Sequence, residues 1–455
     1  MAHVFALTDG TTTISLVASS VYLENYDLKV PQDDDKTVVD TVDILITGTT
    51  GALMQTKARA IESMIEAARR YQKTRTGARV YVTAQLISDT DAWRSELIGG
   101  RMELAEDALA VWGNYKMRAT LYLERVPYWE GPETGIPLAN GNGTWDGSSA
   151  TGLAIYNCND GVGSSPNKRH NYVQIAAGVI TGTLPAPVKV EFKQNLAGTM
   201  SISGLYMATN ADSDPANLVH MIEAESRAWG GTVTVDANCS GGDKVSFSAY
   251  TGSAQAYWNL DAAIIQKTAG RWFRLLLAVR SRNATAAQME TIQADLRDST
   301  GVNVLYRGPE VPFNAANTAG DPLVDLGAFP LPPGSSAASY DRVQLWITLR
   351  LASGSATTAL DFIQMTPADA YRPVRIVPIG ILSGDVVVDD GIDGVSYATA
   401  NGFRGPFLRT FTDPLVVWPG KLQRIYVLTD CDTMDFSITD KLLMRAWYRP
   451  RRLTV

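Results

Sequence analysis

One short stretch of this chain breaks the rule by which its apolar residues recur, and that break limits the fold more than any other feature. Around it the recurrence is every second position, the period of a half-buried strand. Val42, Ile44 and Ile46 alternate with Asp43 and Leu45, and residues 79–86 and 117–125 follow the same rhythm. Between them the steps become three and four. Met54, Ala58, Ile61, Ile65 and Ala68 recur with Leu53 and Met64 beside them, while Lys57, Glu62, Glu66, Arg69 and Arg70 fill the opposite face. That pattern predicts an amphipathic helix of about five turns, roughly 28 Å long. Thr49 or Thr50 can cap its start, and Arg69, Arg70 and Lys73 suit its C-terminal dipole before Gly77. Strands, one helix, then further strands predict an antiparallel sheet or sandwich with a helix packed on it, over residues 1–131. Within it, 93–109 carries a Gly99-Gly100 turn.

Residues 132–169 interrupt the pattern. Gly131-Pro132, Gly135, Pro137 and the run from Asn140 to Ser149 are rich in turn formers and poor in apolar residues, which reads as a linker or long loop. From 170 to 370 come many short strand candidates separated by turn residues, the pattern of a β-sandwich or jelly roll. They include 188–192, 232–235, 244–250, 272–279, 343–351 and 360–365, and only 285–296 hints at a short helix. A weak echo links 361–376 to 435–453: Tyr371-Arg372-Pro373 recurs as Tyr448-Arg449-Pro450. Two sandwiches closing with similar hairpins and a coincidence of strand compositions both account for it. The last unit is placed at 371–455. The fold class is mainly β (α+β).

Charge and motifs exclude several functions. Lys and Arg number 40 against 47 Asp and Glu, a net charge of −7, so specific nucleic-acid binding is not expected. No apolar run reaches the ~18 residues of a membrane span, and the start shows no basic region before an apolar stretch. Cys158, Cys239 and Cys431 make neither a zinc spacing nor a disulfide framework. His3, His170 and His220 occur in no metal or catalytic spacing, and the Gly-x-Ser-x-Gly, Walker A and Gly-x-Gly-x-x-Gly patterns are missing. Glu191, Glu223, Glu225, Asp341 and Asp361 could furnish a glycosidase pair, but sequence gives no distance between them, and an enzyme is not expected. Asp385, Asp389, Asp390 and Asp393 among glycines could hold a structural calcium; solvated turns are the simpler reading, as for Asp33-Asp34-Asp35. No cofactor is expected. Aromatics are enriched in the middle of the chain. Trp272 and Trp346 stand in strongly apolar strands and read as core. Trp145, in the Gly-rich stretch, and Trp229, before Gly230-Gly231, are the candidates for stacking on sugar rings, with local packing the competing reading.

The opening Phe5-Ala6-Leu7-Thr8-Asp9-Gly10-Thr11-Thr12-Thr13-Ile14-Ser15-Leu16 resembles the start of tail proteins of long-tailed bacteriophages. The strand, the long helix and a closing strand ending Leu123-Glu124-Arg125-Val126-Pro127-Tyr128-Trp129-Glu130-Gly131 follow in their order. The set is similar to the ring-forming, tail-tube-like domain of distal tail (baseplate hub) proteins, and covers about a third of the chain. Residues 418–428 and Tyr448-Arg449-Pro450-Arg451 look like phage structural proteins too, and the middle region is similar in general pattern to carbohydrate-binding jelly rolls. The resemblance implies a virion structural protein at the distal end of a tail, forming a homo-oligomeric, hexameric ring. Its partners would be the tail tube, the tape-measure protein and tail-tip proteins, with host-surface glycan as a further contact. A decorated tail-tube protein, another minor tail protein and a glycan-binding tail module are the alternatives. Ile61, Ile65 and Ala68 on the helix and Val42, Ile44 and Ile46 on the strand are expected to serve assembly.

Overall fold

The computed structural model describes the chain except residues 1–3, 19, 33–34, 86–88, 106–114, 142, 159–169, 195–201, 210–218, 237–238, 261–269, 284–289, 314–322, 332–342, 377–383, 401–402, 406–407, 411, 432–441 and 455. It is mostly β, with several antiparallel sheets and one α-helix among the described residues. The chain divides into two compact units, one of residues 1–134, 181–186 and 449–455, the other of 135–180 and 187–448.

The first unit runs β1 (Val4–Thr8), β2 (Thr13–Ser15), β3 (Val21–Asp27), β4 (Val38–Thr47), α1 (Gly51–Thr74), β5 (Tyr81–Gln85), β6 (Trp93–Leu104), β7 (Lys116–Arg125) and β8 (Trp129–Glu130). The strands order as β2-β1-β5-β6-β7-β4-β3, with β8 against β6. β4 and β7 pair without a break from Val38 opposite Arg125 to Thr47 opposite Lys116. Gly99-Gly100 lies within continuous β6 rather than in a turn: Glu96 and its predecessors pair with β5, Leu97 onward pairs with β7, and the register against β7 shifts between Leu97 and Gly99. Gly100 has φ +148°, and a Cβ there would stand 2.3 Å from the Tyr122 carbonyl oxygen, so the bend requires glycine. The last strand of the chain, Arg451–Arg452, pairs with β8 and closes this unit.

Helix α1 starts where Thr50 Oγ1 accepts from the Leu53 N–H at 3.2 Å, and ends at left-handed Arg75, whose N–H donates to Tyr71 O. Met54, Ala58, Ile61, Met64, Ile65 and Ala68 form its buried stripe. They meet Val42, Ile44, Ile46, Leu121, Leu123 and Trp129 in one core. Inside that core lies a fully buried ion pair: Arg125 donates to both Asp40 carboxylate oxygens, to Lys29 O and to Val126 O. Its guanidinium lies over the Trp129 ring.

The second unit holds two sandwiches, one nested in the other. The outer framework has one sheet with Leu138–Asn140, Tyr172–Ile175, Gln423–Cys431, Ile202–Thr209 and Tyr371–Ile376, and a second with Leu153–Ile155, Leu442–Tyr448, Ala186–Gln194 and Val386–Asp390. Arg372 from the first donates to Asp389 from the second at 2.6 Å, and Trp145 meets Trp447 edge-on at 5.8 Å across the same pair. Within 219–367 a separate sandwich forms. One sheet contains Asp243–Tyr250, Ala356–Pro367, Trp272–Asn283 and Leu323–Pro330, and the other is ordered Ser253–Leu260, Val343–Leu351, Glu290–Arg297, Val304–Phe313. Trp258, Phe273, Phe329, Leu345 and Ile363 belong to the core between them.

Three expectations change. Residues 132–169 are not a plain linker: their described part contributes Leu138–Asn140, Gly143–Trp145 and Leu153–Ile155 to the framework sheets. The boundaries 170–370 and 371–455 do not separate units, because Val188 pairs opposite Tyr448 and Ala208 pairs opposite Tyr371 and Tyr426. The helix hinted over 285–296 is, where described, the strand Glu290–Arg297. The strand Ala356–Pro367 is buried on both faces. Leu360 and Ile363 face the sandwich core, while Phe362 joins Tyr206, Tyr371 and Leu428 of the framework. Its Gln364 accepts from Asn171 Nδ2 at 2.6 Å in that seam.

Candidate functional site: an aromatic row on the nested sandwich

The outward face of the Ser253–Leu260 sheet carries the site. Period two decides which side chains stand there. Ala256, Trp258 and Leu260, Leu345, Ile347 and Leu349, and Ile292, Ala294 and Leu296 point into the core, so their neighbours point out. Register aligns these neighbours across the sheet. Tyr257 stands opposite Trp346, Trp346 opposite Asp295, and Asp295 opposite Arg307. The adjacent row is Gln255, Thr348, Gln293 and Glu310.

Trp229 extends the aromatic row beyond the sheet edge. Tyr257 N–H donates to Trp229 O at 3.1 Å, and Ala228 N–H donates to Tyr257 O at 2.9 Å. Gly230 follows with φ +93°, where a Cβ would lie 2.1 Å from Gln255 O, so only glycine lets this segment approach the strand. The Trp229 ring centroid lies 6.3 Å from Tyr257 and 6.0 Å from Trp346, and those two stack at 4.7 Å. Backed by two rings, the indole remains 54% exposed. Arg297 lies over Trp346 at 4.2 Å, and its Nη2 approaches Asp295 Oδ2 at 3.4 Å. Trp346 itself is oriented by its N–H donating to Gln344 Oε1 at 2.9 Å. Asp295 is only 3% exposed, and its Oδ1 has no hydrogen-bond partner; Arg307 Nε lies 3.4 Å away as an ion pair.

Sequence reasoning found one member of this group. Trp229 is exposed as a contact residue must be, but Trp145 is buried, its indole N–H donating to Ser149 O at 2.8 Å, so it offers no face to a ligand. Trp346, expected in the core, is outward, and Trp272, expected in the core, is 51% exposed against Tyr306. The parity of Gln344, Thr348 and Arg350 around Trp346 was the signal that could have placed it. The assembly candidates Val42, Ile44, Ile46, Ile61, Ile65 and Ala68 are all buried in the first unit's own core, where they pack the helix on the sheet. Exposed Tyr22 and Tyr26 on the terminal strand β3 are the aromatic surface of that unit's sheet edge.

The carboxylates considered for catalysis do not join the row. Ser240 N–H donates to Asp361 and its hydroxyl to Glu223, each at 2.9 Å, while Glu191 is paired with Arg445. Burial pushes the neighbouring Glu225 above its ordinary range. Asp341 lies outside the described residues. In the loop considered for calcium, Asp389 holds Arg372, and Asp390 Oδ1 accepts from the N–H groups of Ile392 and Asp393. Among the described residues no group of three or more His, Cys, Asp or Glu is placed to hold a metal ion. Among the described residues, no helix is long and apolar enough to cross a membrane.

No protein-family model matches this chain, and no curated protein does. Among solved structures it is similar to a chain of the phage P2 baseplate in its activated conformation with Ca. That match has 8% identity over 99% of this chain and 98% of that one, with a TM-score of 0.29. It is also similar to the SPP1 Dit protein of a hub adsorption apparatus, at 9% identity over 80% of this chain and 98% of that one, TM-score 0.19. A third is the family 11 carbohydrate-binding module from Clostridium thermocellum with a mixed-linked tetrasaccharide, at 12% identity over 38% and 98%, TM-score 0.18. Likenesses at this level assign no family.

Proposed function

We propose that this chain is a structural protein of a bacteriophage tail, a distal tail or baseplate hub subunit whose first unit assembles with other copies into a ring. The observation that carries the reading is the chain's path. A sheet-and-helix unit begun by 1–134 is finished only when Arg451–Arg452 returns to pair with β8, so that residues 135–180 and 187–448 are cargo inserted into one base. The resemblance of Phe5–Leu16 and Leu123–Gly131 to tail proteins lies wholly in that base. Among the described residues β3 is the end strand of its sheet and bears exposed Tyr22 and Tyr26, the kind of edge that closure of a ring covers. Hexameric closure, tail-tube and tail-tip partners and a place at the distal end of the virion tail follow from the same resemblance. The role is structural rather than catalytic, and the inserted sandwiches serve contact with the host surface or neighbouring tail proteins.

Immunogold imaging tests this reading on virions of the phage that encodes the chain, using antibody raised against residues 219–367. Label confined to the tail tip is the expected result. Label on the capsid, or virions that carry none of the chain, would refute it.

A further inference from the structure

We propose that the outward face of the Ser253–Leu260 sheet binds a neutral, hexopyranose-based polysaccharide, with Trp229 as the stacking platform and Asp295 with Arg297 as the hydroxyl-binding pair. A hexopyranose presents an apolar face of C–H groups and a rim of hydroxyls, each both donor and acceptor. Trp229 matches the first. Its indole is half open, it rests on Tyr257 and Trp346, and its backbone is tied to Tyr257, so little ordering remains to be done on binding.

Asp295 and Arg297 match the second. The buried Oδ1 of Asp295, held only by its ion pair with Arg307 at 3.4 Å, and the buried Nε of Arg297 both lack a hydrogen-bond partner, and a buried polar atom left this way is unfavourable. A sugar hydroxyl answers both needs, donating to the carboxylate and accepting from the guanidinium. Arg307, whose side chain is 60% exposed, is the cover that would swing aside.

The pairing of the charges, rather than their balance, favours neutral sugars over anionic ones. Arg297 and Arg307 are both paired with Asp295, and Arg350 is paired with Glu310. A uronate or phosphate would have to break one of these pairs, and would then face the Asp295 or Glu310 carboxylate. The site requires nothing of the ring: it lies within the second unit and would serve a monomer as well.

The test is affinity electrophoresis of the full chain through gels holding dextran, mixed-linkage β-glucan or soluble galactan, with polygalacturonate as the anionic probe. Retardation by at least one neutral polymer is expected. Trp229→Ala should weaken it about tenfold or more with thermal unfolding unchanged, Trp229→Phe should retain part of the affinity, and Asp295→Asn, which also loosens a buried ion pair, should weaken it about fivefold when read below its own unfolding transition. Retardation by polygalacturonate alone, by no neutral polymer, or equally by wild type and both variants would overturn the proposal. Ring formation is read separately from the mass in solution. Rings without glycan binding would therefore defeat this inference alone, and glycan binding without rings would defeat only the hub reading.

Discussion

Breaking the buried pair of Asp40 and Arg125 should be among the most damaging changes that can be made to the first unit. Both side chains are fully enclosed. Besides gripping Asp40, Arg125 satisfies the carbonyls of Lys29 and Val126, and Asp40 accepts from the Lys29 N–H at 2.8 Å. Asp40→Ala leaves the guanidinium charged in a space with no counter-ion, a change that costs about 3–5 kcal/mol. At about 2–4 °C per kcal/mol for a unit of roughly 150 residues, its melting transition should fall by roughly 6–20 °C. Differential scanning calorimetry measures this on the full chain, and hydrogen exchange in β4 and β7 identifies the transition. Arg125→Met combined with Asp40→Leu should cost less than the sum of the single changes, with a coupling of about 2 kcal/mol or more. Single variants melting within about 2 °C of wild type, or strict additivity, would refute the reasoning.

Other outcomes follow from the same geometry. Ile61→Ala removes a fully buried side chain from the helix stripe and should destabilise the first unit by about 2–5 kcal/mol in urea unfolding. Gly230→Ala forces a side chain against Gln255 O at positive φ, and should cost about 1–3 kcal/mol and displace Trp229, visible as altered indole fluorescence. Burial drives the Cys239 thiol far above its ordinary pKa, so it stays protonated; with buried Cys158 it should resist alkylation in the native protein, as mass mapping would show. The Thr300 hydroxyl, with Asn303 and backbone N–H groups, holds Asp298 down to about 2. Its contribution to the 298–303 turn is therefore fully present above pH 3.8 and lost as pH falls through about 2, which a carboxyl NMR titration would follow.

What the sequence disclosed and what it hid have different physical causes. The helix was legible in its cap and its buried stripe, because one period repeats from Met54 to Ala68, but it runs to 24 residues rather than about five turns, and Leu53 is exposed. Strands such as Val343–Leu351 were legible as strands for the same reason. The nesting was not, since it depends on pairings such as Val188 with Tyr448 and Ile202 with Cys431, which no local window contains. Trp145 misled because glycine-rich surroundings suggest a loop, whereas here they bring its ring against Trp447. Asp295 escaped notice for a similar reason: a carboxylate becomes part of a site only when a neighbouring strand sets Trp346 opposite it.

The mass of the purified full chain in solution, taken with negative-stain images of the same sample, tests the central claim most directly. A single closed oligomer, seen as rings with a central pore and peripheral lobes and weighing six chains, is the predicted result. A monomer throughout the micromolar range, with no rings on the grid, would contradict it.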